Sequence, residues 1–229
     1  MTTFSYHKAL NVFTDASITK YTDNGWITCA GYIVVKDGII IDSGKEIIHN
    51  ATSCYGEIYA IKMAIEAISK YSNTPINLFS DSQISILGLK SRIYNWYQNQ
   101  VNRTLMTNTK EPVSSQEVYL DIMRMIIQYN IQISLYHIPS HIRLNNVKDM
   151  SRFKELFYAN DENLKEVDNR TMEEIINCNN IIDNMTRDYL VKITRCKDYD
   201  PDRYMKYSII PMIWFPKPQD LQAYSQLVS

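Results

Sequence analysis

Apolar and polar residues alternate over the first 50 positions in a pattern that predicts three antiparallel strands. Residues 9–16 form an apolar run typical of a buried strand, and residues 26–36 are rich in aromatic and β-branched side chains. The Asp37-Gly38 pair is a tight-hairpin signal, and the apolar pattern resumes over 39–48. We therefore expect the chain to open with three antiparallel strands.

From residue 54 onward the apolar spacing changes to that of a helix. Apolar side chains recur at helical spacing at Ile58, Ile61, Ala64, Ile65 and Ile68. The elements predicted up to residue 138 are, in chain order, a helix over 54–71, a short apolar strand over 76–79, helical segments around 83–89 and 92–97, a polar loop over 99–110, a helix over 117–129 and a strand over 131–138. A strand, a helix and a further strand in succession indicate an α/β domain.

The pattern changes again after His141. Residues 142–170 are densely charged with only short apolar interruptions, and we interpret them as a solvated insertion. Helical rhythm returns over 172–190. We predict one domain over 1–190, with the charged insertion at about 142–170, and a proline-containing C-terminal extension of unknown role over 191–229.

Composition narrows the class of protein. The chain has 229 residues, 45% of them apolar, which fits one domain with elaborations. Its net charge of −1 lacks the basic excess that a general nucleic-acid binder usually carries. The four cysteines are scattered and form no C-x-x-C pair, so neither a zinc site nor a disulfide framework is indicated.

The same features predict a location. Residues 1–10 lack the charged and apolar segments of a signal peptide. The most apolar late stretch, 209–215, is too short to span a bilayer and contains Pro211. We expect a cytoplasmic monomer with no membrane association, in which the extension over 191–229 offers a surface for a protein partner.

Four carboxylates lie at the edges of apolar runs. Asp15 and Asp81 each follow a predicted strand, Glu57 lies on the first long helix, and Asp183 lies on the last. Acids that converge away from water repel one another, and divalent cations relieve that repulsion. Oxygen ligands with few His or Cys favour Mg²⁺, with Mn²⁺ as a substitute, and a pair of such ions suits displacement at a phosphodiester. The acids therefore predict a metal-dependent nuclease.

Several short motifs around these acids follow one another in a characteristic order. They are Asp81-Ser82-Gln83 with Gly88, then Ile93-Tyr94-Asn95-Trp96, then Glu111-Pro112-Val113 before a helix, then Ile131-Gln132-Ile133, and last the His137-Ile138-Pro139-Ser140-His141 run. This series, over roughly residues 9–190, resembles ribonuclease H type 1: the D-S-Q motif, the substrate-handling helix, the K-P-V segment, the final strand and the histidine loop.

The resemblance implies a fold and an activity. The fold is an α/β RNase H-like one, with a five-stranded mixed sheet, three strands antiparallel and then two parallel, flanked by helices on both faces. The activity is hydrolysis of the RNA strand in RNA–DNA hybrids, leaving 5′-phosphate and 3′-hydroxyl ends. Asp15, Glu57, Asp81 and Asp183 would be the metal-binding carboxylates and His141 the catalytic loop histidine.

The fourth carboxylate has two candidates, because the chain between His141 and Asp183 is longer than is usual in the family. Asp183 has apolar neighbours, as a helix packed beneath the site requires, and Asn179 precedes it by four residues in an N-x-x-x-D pattern. Asp149 competes, since it follows His141 closely and has Asn145 four residues before it. We favour Asp183.

The resemblance also implies residues that contact the substrate. They are Ser17, Thr52, Ser53, Gln83, Trp96 and Asn179. The chain departs from the family pattern at Ala16, where Gly is usual, and at Cys54, where Asn is usual. Fewer cations follow Trp96 than in basic members of the family, so we expect salt-sensitive substrate binding.

Two other functions compete with this interpretation. One is an RNase H-fold nuclease acting on another substrate, such as a resolvase or an exonuclease. The other is a catalytically inactive nucleic-acid-binding or protein-binding module. The D-S-Q motif and the segments after it favour the ribonuclease, and four available acids argue against an inactive module.

Overall fold

The strands form the mixed sheet that the sequence predicts. The computed structural model describes residues 4–22, 25–71, 74–196, 205–206 and 214–229. The strands are β1 (Leu10–Thr22), β2 (Gly25–Lys36), β3 (Ile39–His49), β4 (Ile76–Ser80), β5 (Ile133–His137) and a two-residue β6 (Met205–Lys206). Their order is β5-β4-β1-β2-β3-β6, with β1–β3 antiparallel and with β4 and β5 parallel to β1. The predicted five-stranded sheet is confirmed, and β6 adds a short pairing beside β3.

Helices cover both faces of the sheet. They are α1 (Ser53–Ile68), α2 (Gln83–Leu87), α3 (Ile93–Gln98), α4 (Gln116–Gln128), α5 (Val147–Tyr158), α6 (Asn169–Thr194) and α7 (Pro218–Leu227). A π-helical turn, Gly88–Arg92, joins α2 to α3. In the described parts of the chain, no helix has both the length and the apolarity to cross a bilayer.

Alternation along β1 sends its side chains to two separate cores. Leu10 and Val12 join a core with α1, α4 and α7. Phe13 points to the opposite face, because successive side chains of a strand alternate. Its ring stacks on that of Phe79, with centroids 4.8 Å apart, in the core that α5 and α6 cover.

The insertion at 142–170 is not the solvated excursion that its charges suggest. It folds into α5 and a 3₁₀ turn, and Phe153, Phe157 and Leu164 are fully buried in the second core. The side chain of Asn160 holds the insertion to β5: its Nδ2 donates to the His137 carbonyl at 2.8 Å, and its Oδ1 accepts from the His137 amide at 2.8 Å. These three apolar residues anchor to the second core a segment most of whose other side chains stay at least partly exposed.

The end of the predicted extension belongs to the domain. Val228 and Ser229 run parallel to β5, where the Leu135 amide donates to the Ser229 carbonyl at 2.8 Å and the Ser229 amide donates to the Ile133 carbonyl at 3.0 Å. These bonds cover an edge of the sheet that would otherwise be open. Residues 214–229 are therefore integrated, while 197–204 and 207–213 of the extension lie outside the described residues.

Tyr224 anchors α7 in the first core. Its side chain is fully buried and its hydroxyl donates to the Leu89 carbonyl at 2.9 Å. We expect Tyr224→Phe to lower the free energy of unfolding by about 0.5–1.5 kcal/mol, because the change removes a buried hydrogen bond. Urea unfolding measures the effect, and Tyr129→Phe, at a tyrosine that is 41% exposed, is the matched control. Equal midpoints for the two variants would contradict the anchoring role.

Candidate active site

Parallel pairing of β1 with β4 brings two of the predicted acids together. Thr14 on β1 is paired with Ser80, the last residue of β4. Asp15 is the next residue within β1, which continues to Thr22, and Asp81 directly follows β4. Their carboxylates therefore lie side by side where the pairing of β1 with β4 ends. One oxygen from each, together with one from Glu57, forms a group whose members all lie within 4.8 Å of one another.

Glu57 reaches this group because α1 packs closely on β1 and β2. A Cβ on Gly56 would lie 2.4 Å from Cγ2 of Thr28 and 3.0 Å from Cβ of Ala16. Only a glycine allows this approach, which brings the next residue, Glu57, to the acidic edge. Its Oε2 atom is buried and has no hydrogen-bond partner among the described residues. Such an atom is costly to bury unless it is protonated or a ligand satisfies it.

The fourth predicted acid lines the same pocket from α6. The pocket has a volume of about 420 Å³, and Asp183 and His141 line it together with the three acids. Oδ2 of Asp183 lies 3.5 Å from Nδ1 of His141 and 3.1 Å from Nη1 of Arg187. Asp183 stands outside the tight three-acid group.

Asp149, the rival fourth acid, is engaged elsewhere. Its Oδ2 accepts from Nε of Arg143 at 2.9 Å, and it does not line the acidic pocket. The same Arg143 side chain holds the pKa of Asp149 below its usual value. The position of Asp183 on the pocket wall favours it over Asp149.

Burial and mutual repulsion raise the pKa values of the three clustered acids. Burial, followed by the charge of Asp15, raises the pKa of Asp81 from 3.8 to about 6. Burial and then the charges of Asp81 and Asp15 raise the pKa of Glu57 well above its usual value. Burial also raises the pKa of Asp15, against the opposing effect of a hydrogen bond from Thr186. Ionising all three acids of the cluster is therefore unfavourable in the folded protein without a cation.

This donor set fits a hard divalent cation. The three clustered ligands are all carboxylates, and oxygen donors select Mg²⁺ or Mn²⁺ over zinc. The buried, unpartnered oxygen of Glu57 is the kind of atom that a bound cation would satisfy. A cation would also offset the repulsion that raises the three pKa values.

Four of the predicted substrate contacts lie at the surface. Ser17 lines the acidic pocket, and its Oγ lies 2.9 Å from the Thr186 hydroxyl. Thr52 caps α1, where its Oγ1 accepts from the Tyr55 amide at 3.2 Å, and Ser53 follows it on the exposed first turn. Gln83 is exposed at the start of α2. Their side chains are open to a ligand.

The other two predicted contacts are buried. Trp96 is only 9% exposed, and its ring packs edge-to-face on Tyr119 with centroids 5.2 Å apart. Asn179 is 6% exposed within α6. The helices that carry these two side chains turn both largely toward the interior, and their contact with the substrate stays a prediction.

Sequence reasoning missed two residues of the site. Thr186 and Arg187 follow Asp183 by three and four positions on α6, the spacing that places residues on one face of a helix. Arg187 lines the pocket, and its Nη1 donates to both carboxylate oxygens of Asp183, at 3.3 and 3.1 Å. Helical spacing from Asp183 was the signal that could have identified both.

Several solved structures share this fold. The chain resembles the foamy viral protease-reverse transcriptase in complex with an RNA/DNA hybrid, at 15% identity and a TM-score of 0.52, over 67% of this chain and only a fifth (20%) of that one. It also resembles the foamy viral enzyme in complex with dsDNA, at 18% identity and a TM-score of 0.50, over 66% of this chain and 96% of that one. The solution structure of the PFV RNase H domain matches at 17% identity and a TM-score of 0.51, over 67% and 94% of the two chains. No curated protein matches.

The fold and the acidic pocket together support a nuclease. A family model described as RNase H matches residues 7–150, more than half of the chain, which therefore belongs to the RNase H family. The resemblance to ribonuclease H noted in the sequence is thereby confirmed. The match contains Asp15, Glu57, Asp81 and His141, and it also contains the rival acid Asp149 but ends before Asp183. The preference for Asp183 therefore rests on the geometry of α6 alone.

Proposed function

We propose that this protein is an endoribonuclease that hydrolyses the RNA strand of RNA–DNA hybrids and leaves 5′-phosphate and 3′-hydroxyl ends. The observation that carries the proposal is the convergence of three partly or fully buried carboxylates at one edge of an RNase H sheet. Asp183 and His141 line the same pocket.

In this mechanism Asp15, Glu57, Asp81 and Asp183 would hold two divalent cations, Mg²⁺ or in its place Mn²⁺. Such cations supply the positive charge that activates a water and stabilises the departing 3′ oxygen in an in-line displacement. The carboxylates fix that charge against the scissile phosphate. Because they are rigidly held by β1, α1 and β4, little reorganisation is needed during the reaction.

His141 is suited to proton transfer at the leaving oxygen. It lies on the loop after β5, its side chain is 68% exposed, and its Nδ1 faces Asp183 at 3.5 Å. A carboxylate at that distance favours an imidazole orientation toward the pocket. We propose that His141 delivers a proton to the departing 3′ oxygen, since an exposed imidazole on a loop beside the pocket can act as a general acid.

Selection of RNA would come from the wide, shallow minor groove of the hybrid, which displays 2′-hydroxyl groups. Thr52, Ser53 and Gln83 offer exposed hydroxyl and amide groups, and the half-buried Ser17 lines the acidic pocket. A structural neighbour whose complex contains an RNA/DNA hybrid supports this substrate class. No base-specific contact is required.

A comparison of substrates tests the proposal. We expect the protein to cut the RNA strand of a uniform RNA–DNA hybrid in the presence of Mg²⁺ and to leave matched RNA–RNA and DNA–DNA duplexes intact. A chelator should abolish cleavage and added Mg²⁺ should restore it, as gel analysis of end-labelled strands would show. Equal cutting of all three duplexes would indicate a less selective nuclease, and no cutting of any would indicate a binding module.

Location and assembly stay predictions. The four cysteines are free, which supports the reducing environment of the cytoplasm. A monomeric state, and a protein partner bound through 191–229, follow from the sequence interpretation alone. Size-exclusion chromatography with light scattering would measure the oligomeric state directly.

A further inference from the structure

One buried hydroxyl joins α6 to the acidic cluster. Thr186 is fully buried, and its Oγ1 donates to Oδ2 of Asp15 at 2.5 Å. The same oxygen lies 2.9 Å from Oγ of Ser17. These contacts link residues separated by about 170 positions in the chain.

The direction of the hydrogen bonds follows from donor counting. An ionised carboxylate only accepts, and a hydroxyl has one proton to donate. Thr186 therefore donates to Asp15 and accepts from Ser17, which gives the ordered chain Ser17, Thr186, Asp15. A hydrogen bond to an ionised oxygen is shorter and stronger than one between neutral groups.

The Thr186 hydroxyl has a second possible acceptor, a backbone carbonyl of its own helix. Threonines within helices often bond back to a carbonyl of the preceding turn, and the Asp183 carbonyl does lie 3.0 Å from the Thr186 hydroxyl. The bond to Asp15 is shorter by half an ångström and has a charged acceptor. The single proton therefore goes to Asp15.

The close packing that allows this contact depends on Gly31. A Cβ on this β2 residue would lie 2.8 Å from Cγ2 of Thr186 and 3.2 Å from Cδ1 of Ile182. The missing side chain lets α6 approach the sheet at the point where β2 pairs with β1, since Gly31 is the partner of Asp15 in that ladder. Local packing thus directs the Thr186 hydroxyl toward the Asp15 carboxylate.

We propose that Thr186 is a positioning residue: its hydroxyl fixes the Asp15 carboxylate and ties the helix that carries Asp183 to the other three acids. The inference rests on the proposed metal-dependent function. With one oxygen held by Thr186, the Asp15 side chain loses rotational freedom before a cation binds. Asp183, three residues earlier on α6, is held in register with the cluster by the same contact.

Two pairs of variants isolate the hydroxyl. Thr186→Val keeps the shape of the side chain and removes the donor, while Thr186→Ser keeps the donor and removes the methyl that packs on Gly31. Thr186→Ala differs from Thr186→Ser by the hydroxyl alone, so that pair serves if the valine variant does not fold. Calorimetric titration with Mg²⁺ and with Mn²⁺ measures binding, and circular dichroism measures folding.

We expect Thr186→Val and Thr186→Ala to bind the cation about tenfold more weakly than the wild type, since each loses a charge-assisted hydrogen bond. Thr186→Ser should bind within about twofold of the wild type. In hybrid cleavage at fixed Mg²⁺, kcat should fall for the hydroxyl-free variants while KM for the hybrid stays unchanged.

Two results would overturn the positioning role. One is metal binding by Thr186→Val or Thr186→Ala as tight as that of the wild type. The other is a serine variant as impaired as the alanine variant, which would assign the effect to packing against Gly31. Failure of the wild-type protein to bind either cation is a different outcome, because it would refute the proposed function itself.

Discussion

Asp81→Asn is expected to lower the rate of hybrid cleavage by about a thousandfold, the equivalent of roughly 4 kcal/mol of transition-state stabilisation. The amide has nearly the shape of the carboxylate but lacks its charge, so it holds a cation poorly. Asp81 belongs to the tight three-acid group, and its carboxylate is repelled by that of Asp15. Removing the charge therefore weakens the metal site without opening a cavity.

The two candidates for the fourth acid provide the matched control. Asp183→Asn should also reduce cleavage strongly, because Asp183 lines the acidic pocket. Asp149→Asn should cleave at nearly the wild-type rate, since Asp149 is paired with Arg143 instead. Initial rates on one labelled hybrid under identical Mg²⁺ measure all three variants. Unchanged cleavage by Asp81→Asn would eliminate the metal-site hypothesis.

The metal-free protein is expected to lose stability as the pH rises from about 4 to about 6, and divalent metal should restore it. Asp81 has its pKa raised from 3.8 to about 6 in the folded protein. Below pH 3.8 the Asp81 carboxyl is protonated in both the folded and the unfolded protein, so it does not lower the stability of the folded state. Between the two values the unfolded chain releases its proton while the folded chain keeps it, so stability falls as pH rises. Glu57, with its raised pKa, extends the loss to higher pH.

We expect Mg²⁺ to reverse this penalty, because the proposed site would bind it only when the cluster is folded and ionised. At a hundredfold excess over its dissociation constant, a ligand of the folded state adds about 2.7 kcal/mol to the free energy of unfolding. The gain should be large at pH 8 and small at pH 5, since protons compete with the metal for the carboxylates.

Urea unfolding with and without Mg²⁺, across pH 4–8, measures both effects. Subtracting the profile of Asp81→Asn from that of the wild type removes the titration of distant groups. The amide variant should show a flatter pH dependence and a smaller gain from Mg²⁺. If the free energy of unfolding of the wild type rose with pH relative to that of Asp81→Asn, the raised pKa of Asp81 would be contradicted.

Several parts of the fold could be predicted because their signals are local. Asp37-Gly38 marks a hairpin wherever it lies between two strand patterns, and Ile58, Ile61 and Ala64 mark one face of a helix. The acidic edge at Asp15 and Asp81 followed from the same reasoning, since each residue comes directly after an apolar strand segment.

Other parts could not be predicted because they depend on contacts between distant segments. Trp96 has the sequence neighbours of a substrate contact, yet the packing of α3 against Tyr119 on α4 buries it. The many charges of 142–170 suggested a solvated segment, although it contains Phe153 and Phe157. Their burial depends on packing against aromatic side chains of the sheet. The pairing of Ser229 with β5 has no sequence signature. It is made by backbone amide and carbonyl groups, which nearly all residue types have, so the side chains do not identify it.

The sequence by itself determined the succession of strands and helices up to residue 138, the family, and the candidate acids Asp15, Glu57 and Asp81, because short-range periodicity and motifs encode them. Only the tertiary structure placed Asp183 on the wall of the acidic pocket and Asp149 outside it, and only it revealed the contact of Thr186 with Asp15. Those outcomes depend on where α6 crosses the sheet. The position of α6 on the sheet is set by close packing at Gly31 and Ile182. Because these residues are about 150 positions apart in the chain, no local sequence pattern predicts their contact.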